Sequence, residues 1–225
     1  MNLNVLLQVT QTTTEVQEVV KMNLFDMALK GGWIMIPLLL LCIVSVYIFI
    51  ERLVVIKKTS QKDHTFMNKI KDYINEGKIE AAIALCKKTD TPYSRMIEKG
   101  ISRLGRPMND VMVAIENVGN LEIMKLEKGL PLLATTAGGA PMIGFLGTVI
   151  GMVQAFFEME SAGSNVDVTA LSGGIYTAMV TTVAGLIVGI IAYFAYNYLT
   201  WRIDKVVSNM EGHSLEFMDI LNEPA

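Results

Sequence analysis

The chain has little of what most soluble and catalytic sites are built from. Of 225 residues, two are cysteine and two are histidine. Cys42 falls in an apolar run and Cys86 in a charged segment, so a disulfide framework is excluded and both thiols are expected to stay reduced. His64 and His213 stand far apart with no companion ligands nearby, which argues against a zinc site. Charged residues are 18%, against roughly 25% in soluble domains. Basic charge is not in excess. The formal net charge is −3 and the pI about 5.5, so nucleic acid is not an expected partner. The apolar runs hold no nucleophile–base pair and no metal set, so neither an enzyme nor a bound cofactor is expected.

In place of charge there is apolar length. Hydrophobic residues are 52% and the mean hydropathy is +0.41. Residues 31–50, 129–157 and 168–201 contain no Asp, Glu, Lys, Arg or His over 20, 29 and 34 positions. At about 1.5 Å per residue these helices reach roughly 30, 43 and 51 Å, and a bilayer core is about 30 Å. The reading is an all-α membrane protein with three transmembrane helices in a lipid bilayer, the second and third long and extending into the cytoplasm. Pro37 lies in the first turns of the first span, where proline is tolerated. Trp33 and Tyr47 suit its two interfaces.

The remaining segments set the topology. Residues 1–30 lack the basic n-region and cleavage site of a secretory signal. Val16, Val19, Val20, Leu24 and Met27 recur at helical spacing, so this segment reads as a short amphipathic helix or a mobile tail. Residues 51–128 read as four helices, with breaks at Gly77 and at Gly105-Arg106-Pro107. The last, starting near Pro107, is expected to run into the second span as one long helix, because no proline intervenes before Pro131. Of 19 lysines and arginines, 15 lie in residues 51–128 and none between spans two and three. The positive-inside rule then puts residues 51–128 and the tail 202–225 in the cytoplasm, and residues 1–30 and the loop 158–167 outside. Arg202 and Lys205 read as interface anchors. Glu158, Glu160 and Asp167 in the outer loop read either as an acidic mouth that concentrates protons or as solvated loop acids. The 15 methionines suit adaptable packing.

Spans two and three are unlike simple anchors. Ala137, Pro141, Gly144, Thr148, Gly151 and Ala155 make one small-residue stripe, and Gly147 and Gly151 form a GxxxG. Gly174, Ala178, Thr182, Gly185 and Gly189 make a second, with a GxxxG at Gly185 and Gly189. Small residues let membrane helices approach closely. The stripes fit packing within one subunit or contact with partners. Thr148, Thr177, Thr181 and Thr182 beside them point to a lightly polar wall facing something other than lipid. A threonine hydroxyl orients water but does not hold a proton near neutral pH. A proton path normally shows an intramembrane ionisable group, so here the carboxylate is expected from a partner.

Three stretches carry a resemblance that covers residues 33–198. They are the first span closing on Glu51-Arg52-Leu53, PMIGFLGTVIGM at residues 141–152, and GGIYTAMVTTVAGLIVGIIAYFAYN at residues 173–197. They resemble the MotA/TolQ/ExbB proton-channel family, and among its members the ExbB/TolQ branch. The resemblance implies a homo-oligomer, a pentamer, in the bacterial inner membrane. Its second and third spans would line a pore holding single-span partners of the ExbD/TolR type. An aspartate of the partner takes the proton, pore threonines matching Thr148 and Thr182 surround it, and the motion passes to a TonB or Tol protein. The family's third span often carries a glutamate, in a pattern like GIxEAL, where this chain has Thr177. Proton handling then rests on the partner, or on water held by Thr177 and Thr181. Alternatives are a TolQ-like role in envelope integrity and a non-conducting membrane scaffold.

Overall fold

A computed structural model describes residues 31–59, 65–162 and 168–222. The amphipathic segment expected within residues 1–30, His64 and Asp167 lie outside the described residues. Among those described there are seven helices and no strand. They are α1 (Met35–Thr59), α2 (Phe66–Asn75), α3 (Ile79–Thr89), α4 (Pro92–Ile101), α5 (Met108–Glu127), α6 (Leu130–Ala162) and α7 (Val168–Asn222). Three of these, α1, α6 and α7, are long and apolar enough to cross a membrane. The protein is an all-α membrane protein.

The short helices are set by local chemistry. Helix α3 ends at Asp90, whose left-handed φ of 45° lets its N–H reach the Cys86 carbonyl. Two residues on, α4 opens with a capping box. The Thr91 side chain accepts from the Ser94 N–H, the Ser94 hydroxyl accepts from the Thr91 N–H, and Pro92 fills the first turn. These helices bury Phe66, Ile70, Ala82, Ile97, Ile101 and Ile115 in one core. At Gly100 the packing leaves no room for a side chain, since a Cβ would stand 2.6 Å from Phe217 and 2.8 Å from Ile115.

Two findings bear on the expected helix ends, and the first is a correction. Helix α5 does not run into the second span. The chain turns at Lys128 (ψ 124°) and Gly129 (φ +89°) before α6 begins. Only glycine adopts that φ without strain, and a Cβ on Gly129 would also come within 3.2 Å of Ile48. Helix α7 extends beyond its charge-free run, as expected of the third span, and takes in most of the segment read as a tail. It continues past Trp201 to Asn222, 55 residues and about 82 Å in all. Ile203, Val206, Met210 and Phe217 recur at helical spacing and are buried in the core of the charged bundle. One rigid element therefore joins the membrane part to the bundle.

Helix α1 lies against α6 and α7 through Leu38 and through Ile34 just before its first turn, which cluster with Ala140, Ile143, Ile150, Ala184 and Val188. Its other flank, including Ile36, Leu39, Leu40 and Ile43, is exposed, as suits lipid.

Candidate functional site

The glycine stripes meet each other. Gly144 faces Gly185 and Thr181, Gly151 faces Gly174 and Ala178, and Gly189 faces Pro141 and Ala137. Partners move up one helix as they move down the other, so α6 and α7 are antiparallel. A Cβ on Gly144 would stand 2.8 Å from the Thr181 carbonyl oxygen, and one on Gly174 2.8 Å from Ala155 Cβ. Gly147 lies against the Thr181 side chain. The six glycines thus serve close packing within one chain.

The hydroxyls cluster on that seam. The Thr148 and Thr182 hydroxyl oxygens are in direct hydrogen-bond contact. The Gly144 carbonyl lies 3.2 Å from the Thr182 hydroxyl and the Ala178 carbonyl 3.1 Å from the Thr148 hydroxyl. Thr181 is fully buried and donates to Ala178 O at 2.8 Å. A hydroxyl has one proton and two lone pairs. One proton of the pair serves the bond between the two hydroxyls and the other a backbone carbonyl, so the open valence of the Thr148–Thr182 pair is for accepting.

Helical geometry fixes which way this pair faces. At about 100° per residue, Thr148 points about 140–160° away from Ile143 and Ile150 and about 80° from Ala140, and Thr182 about 120–160° away from Ala184 and Val188. Those five residues cluster with Ile34 and Leu38 at α1. The half-buried pair therefore lies on a side turned away from α1. Thr181 is sealed in the seam, and Thr177 is half-buried one turn from it. Glu158 and Glu160 are exposed at the end of α6, while Asp167 is outside the described residues. The structure thus brings Thr148, Thr181 and Thr182 together and leaves the two acids on a solvated end.

Among the described residues two charged ones are buried, Arg52, which the sequence marks only as the close of the first span, and Glu122. Arg52, at the tail of α1, is 6% exposed. It donates to the Lys125 carbonyl at 2.9 Å and to Glu51 at 2.7 Å. Lys125 is in the last turn of α5, where carbonyls lack helical partners, so the guanidinium ties α1 to the helix end just before the Gly129 turn. Glu122, 4% exposed, accepts from Arg95 at 2.6 Å and from Lys125 at 2.7 Å. Burial alone pushes its carboxyl up. The hydrogen bonds and charges of Arg95 and Lys125 outweigh that and hold it below the ordinary carboxylate range. The signal available in the sequence was the i,i+3 spacing of Glu122 and Lys125; the Arg95 and Arg52 contacts are long-range. Burial, with Glu98 nearby, pushes the Cys86 thiol up to about 12. Among the described residues no group of three or more His, Cys, Asp or Glu could hold a metal.

The pattern of the MotA/TolQ/ExbB proton channel family matches residues 88–212, from the end of α3 through the threonine seam and most of α7. A biopolymer transport protein ExbB homolog of Methanothermobacter thermautotrophicus is 37% identical over 120 residues, 53% of this chain and 42% of that protein. The Tol-Pal system protein TolQ of Haemophilus influenzae is 35% identical over 114 residues, 51% of this chain and 50% of TolQ. An ExbB-like protein of Synechocystis is 28% identical over 79% of this chain and 70% of its own length. The chain thus spans half or less of the first two relatives. With more than half of its residues under the family pattern, the chain belongs to the MotA/TolQ/ExbB proton channel family, in the ExbB/TolQ branch.

Proposed function

We propose that the chain is an ExbB-like subunit of a proton-driven motor in the bacterial inner membrane. Copies of it form a ring, a pentamer, around ExbD/TolR-type single-span partners. Proton flow through the ring does work on a TonB-type protein for outer-membrane import. The distribution of lysine and arginine supports a periplasmic N-terminus and a cytoplasmic bundle.

The observation that carries this reading is the Thr148–Thr182 pair, turned away from α1 in two helices that hold no ionisable residue across the membrane. Lipid has nothing to donate to such a pair, so its open acceptor valence fits a wet or partner-filled lumen. A protonated carboxyl can donate to it and a carboxylate cannot. The wall therefore favours the neutral form of an acid presented by the partner, which is the form that crosses an apolar stretch cheaply. Glu158 and Glu160 at the end of α6 would sit at the outer entrance.

The test is the double variant Thr148→Val, Thr182→Val, reconstituted with its single-span partner in vesicles carrying a pH-sensitive dye. These swaps keep the side-chain shape and remove both hydroxyls. Loss of one or two hydrogen bonds is worth about 1–2 kcal/mol, so proton flux is expected to fall about five- to thirtyfold. Unchanged flux overturns the pore-wall reading, and a wild-type assembly that passes no protons favours the scaffold. The likeness to TolQ supports a second reading, the same motor acting on a Tol partner. Co-purification with one partner type or the other separates the two.

A further inference from the structure

Helix α5 carries two unlike grooves on opposing flanks. One, of about 420 Å³, lies between α5 and α7 and is rimmed by Glu116 and Glu211 over Met112, Ile123 and Leu215. The other, of about 440 Å³, lies between α4 and α5 and is rimmed by Lys99 and Arg103 over Val113 and Leu121, with Asp110 as its one carboxylate. Leu215 is 66% exposed and Leu121 57%, so each groove offers an apolar centre beside one dominant sign of charge. Counting about 100° per residue, the α5 residues of the two grooves point roughly 145° apart, and their centres lie within about one turn along the helix. Neither acid of the first groove is in an ion pair recorded for the described residues, nor is Lys99 or Arg103 of the second.

We infer that these flanks are the two halves of one head-to-tail contact between copies of this chain, the acidic groove of one subunit docking on the basic groove of the next. The inference deepens the proposed ring and rests on it. A closed ring needs a heterologous interface, two different and complementary patches on each subunit. Here the patches are complementary in charge and sit at matching height on one helix. The contact adds to the membrane seam a register in the cytoplasm, with apolar residues at its centre and charge at its rim.

The experiment uses the full chain in lipid nanodiscs, with subunit number read by native mass spectrometry over a dilution series. Glu116→Lys with Glu211→Lys, and separately Lys99→Glu with Arg103→Glu, are each expected to weaken assembly about tenfold at low salt, since exposed pairs are individually weak but here change sign. The quadruple variant is expected to return to near wild-type assembly, and 1 M salt to compress the differences. Wild-type assembly in both pair variants, or no recovery in the quadruple, overturns the interface while leaving the ring in place. A wild-type chain that stays monomeric overturns both. A second arm does not depend on surface charge. Val113→Cys with Leu215→Cys, on a Cys42→Ser background, is expected to give an oxidised ladder of linked subunits, because the two sites lie on opposite flanks. Absence of the ladder in an assembled ring also overturns the interface.

Discussion

Of the seam glycines, Gly185 is the one whose Cβ would come nearest a backbone atom of the facing span, and enlarging it tests the seam directly. A Cβ at Gly185 would stand 2.6 Å from the Ala140 carbonyl oxygen and 2.9 Å from Gly144 Cα. Both are backbone atoms of a continuous helix, so neither swings away. Reaching an ordinary contact of 3.4 Å requires the helices to part by about 0.8 Å at this point. The same movement stretches the contact of the Thr182 hydroxyl with Gly144 O from 3.2 Å to about 4.0 Å, outside hydrogen-bond range. Overpacking costs about 1–3 kcal/mol and the lost bond about 1 kcal/mol. Gly185→Ala is therefore expected to destabilise the chain by about 2–4 kcal/mol and, in vesicles with the partner, to lower proton flux. Reversible unfolding in bicelles measures the first. Gly212→Ala is the control, since a Cβ there meets nothing within 4 Å. It is expected to be neutral or stabilising by up to about 1 kcal/mol, from helix propensity. If Gly185→Ala matches wild type within about 0.5 kcal/mol, the close approach is not a feature of the folded membrane state.

Two further predictions concern the bundle. Glu122 has a lowered folded pKa, so its contribution to stability is fully present above the ordinary value of 4.5 and is lost as pH falls through the lowered folded value. Glu122→Gln is expected to cost about 1–3 kcal/mol at pH 7 and to flatten the acid limb of the stability profile; an unchanged acid limb refutes the pairing. The Cys86 thiol, buried and pushed up to about 12, is expected to resist alkylation at pH 8 until the bundle unfolds, and labelling at the rate of a free thiol refutes its burial.

The sequence exposed the spans because charge is so costly in hydrocarbon that its absence over 20 or more residues is a direct sign. Helix identity in the bundle was legible for a related reason: Ile70, Ile97 and Ile115 sit on stripes that only a 3.6-residue period aligns. Helix ends were harder. No proline marks the break before the second span, because the chain turns at Gly129, where the need is for a positive φ rather than a missing N–H. How far α7 extends beyond Trp201 is not marked by charge, but Ile203, Val206, Met210 and Phe217 keep the helical period. At the seam, the threonines and glycines were visible as types, but their facing was not. A stripe of small residues looks the same whether it meets its own chain or another, and only the pairing of Gly144 with Gly185 and of Gly151 with Gly174 distinguishes these cases.

That pairing bears on how the proposed motor divides its labour. A helix pair packed through glycines is stiff, because backbone meets backbone and only short side chains, such as Thr181 and Ala155, lie between. A stiff wall without an ionisable group keeps the same charge whether or not a proton passes, so it has no electrostatic reason to change shape during a cycle. The titrating group, and with it the moving part, then belongs to whatever the wall encloses. Helix α7 carries the wall's orientation over about 82 Å into the bundle, and Arg52 fixes α1 to the end of α5. On the proposed reading these features make each subunit a single stator segment, so that free energy released by proton transfer appears as motion of the partner rather than deformation of the ring.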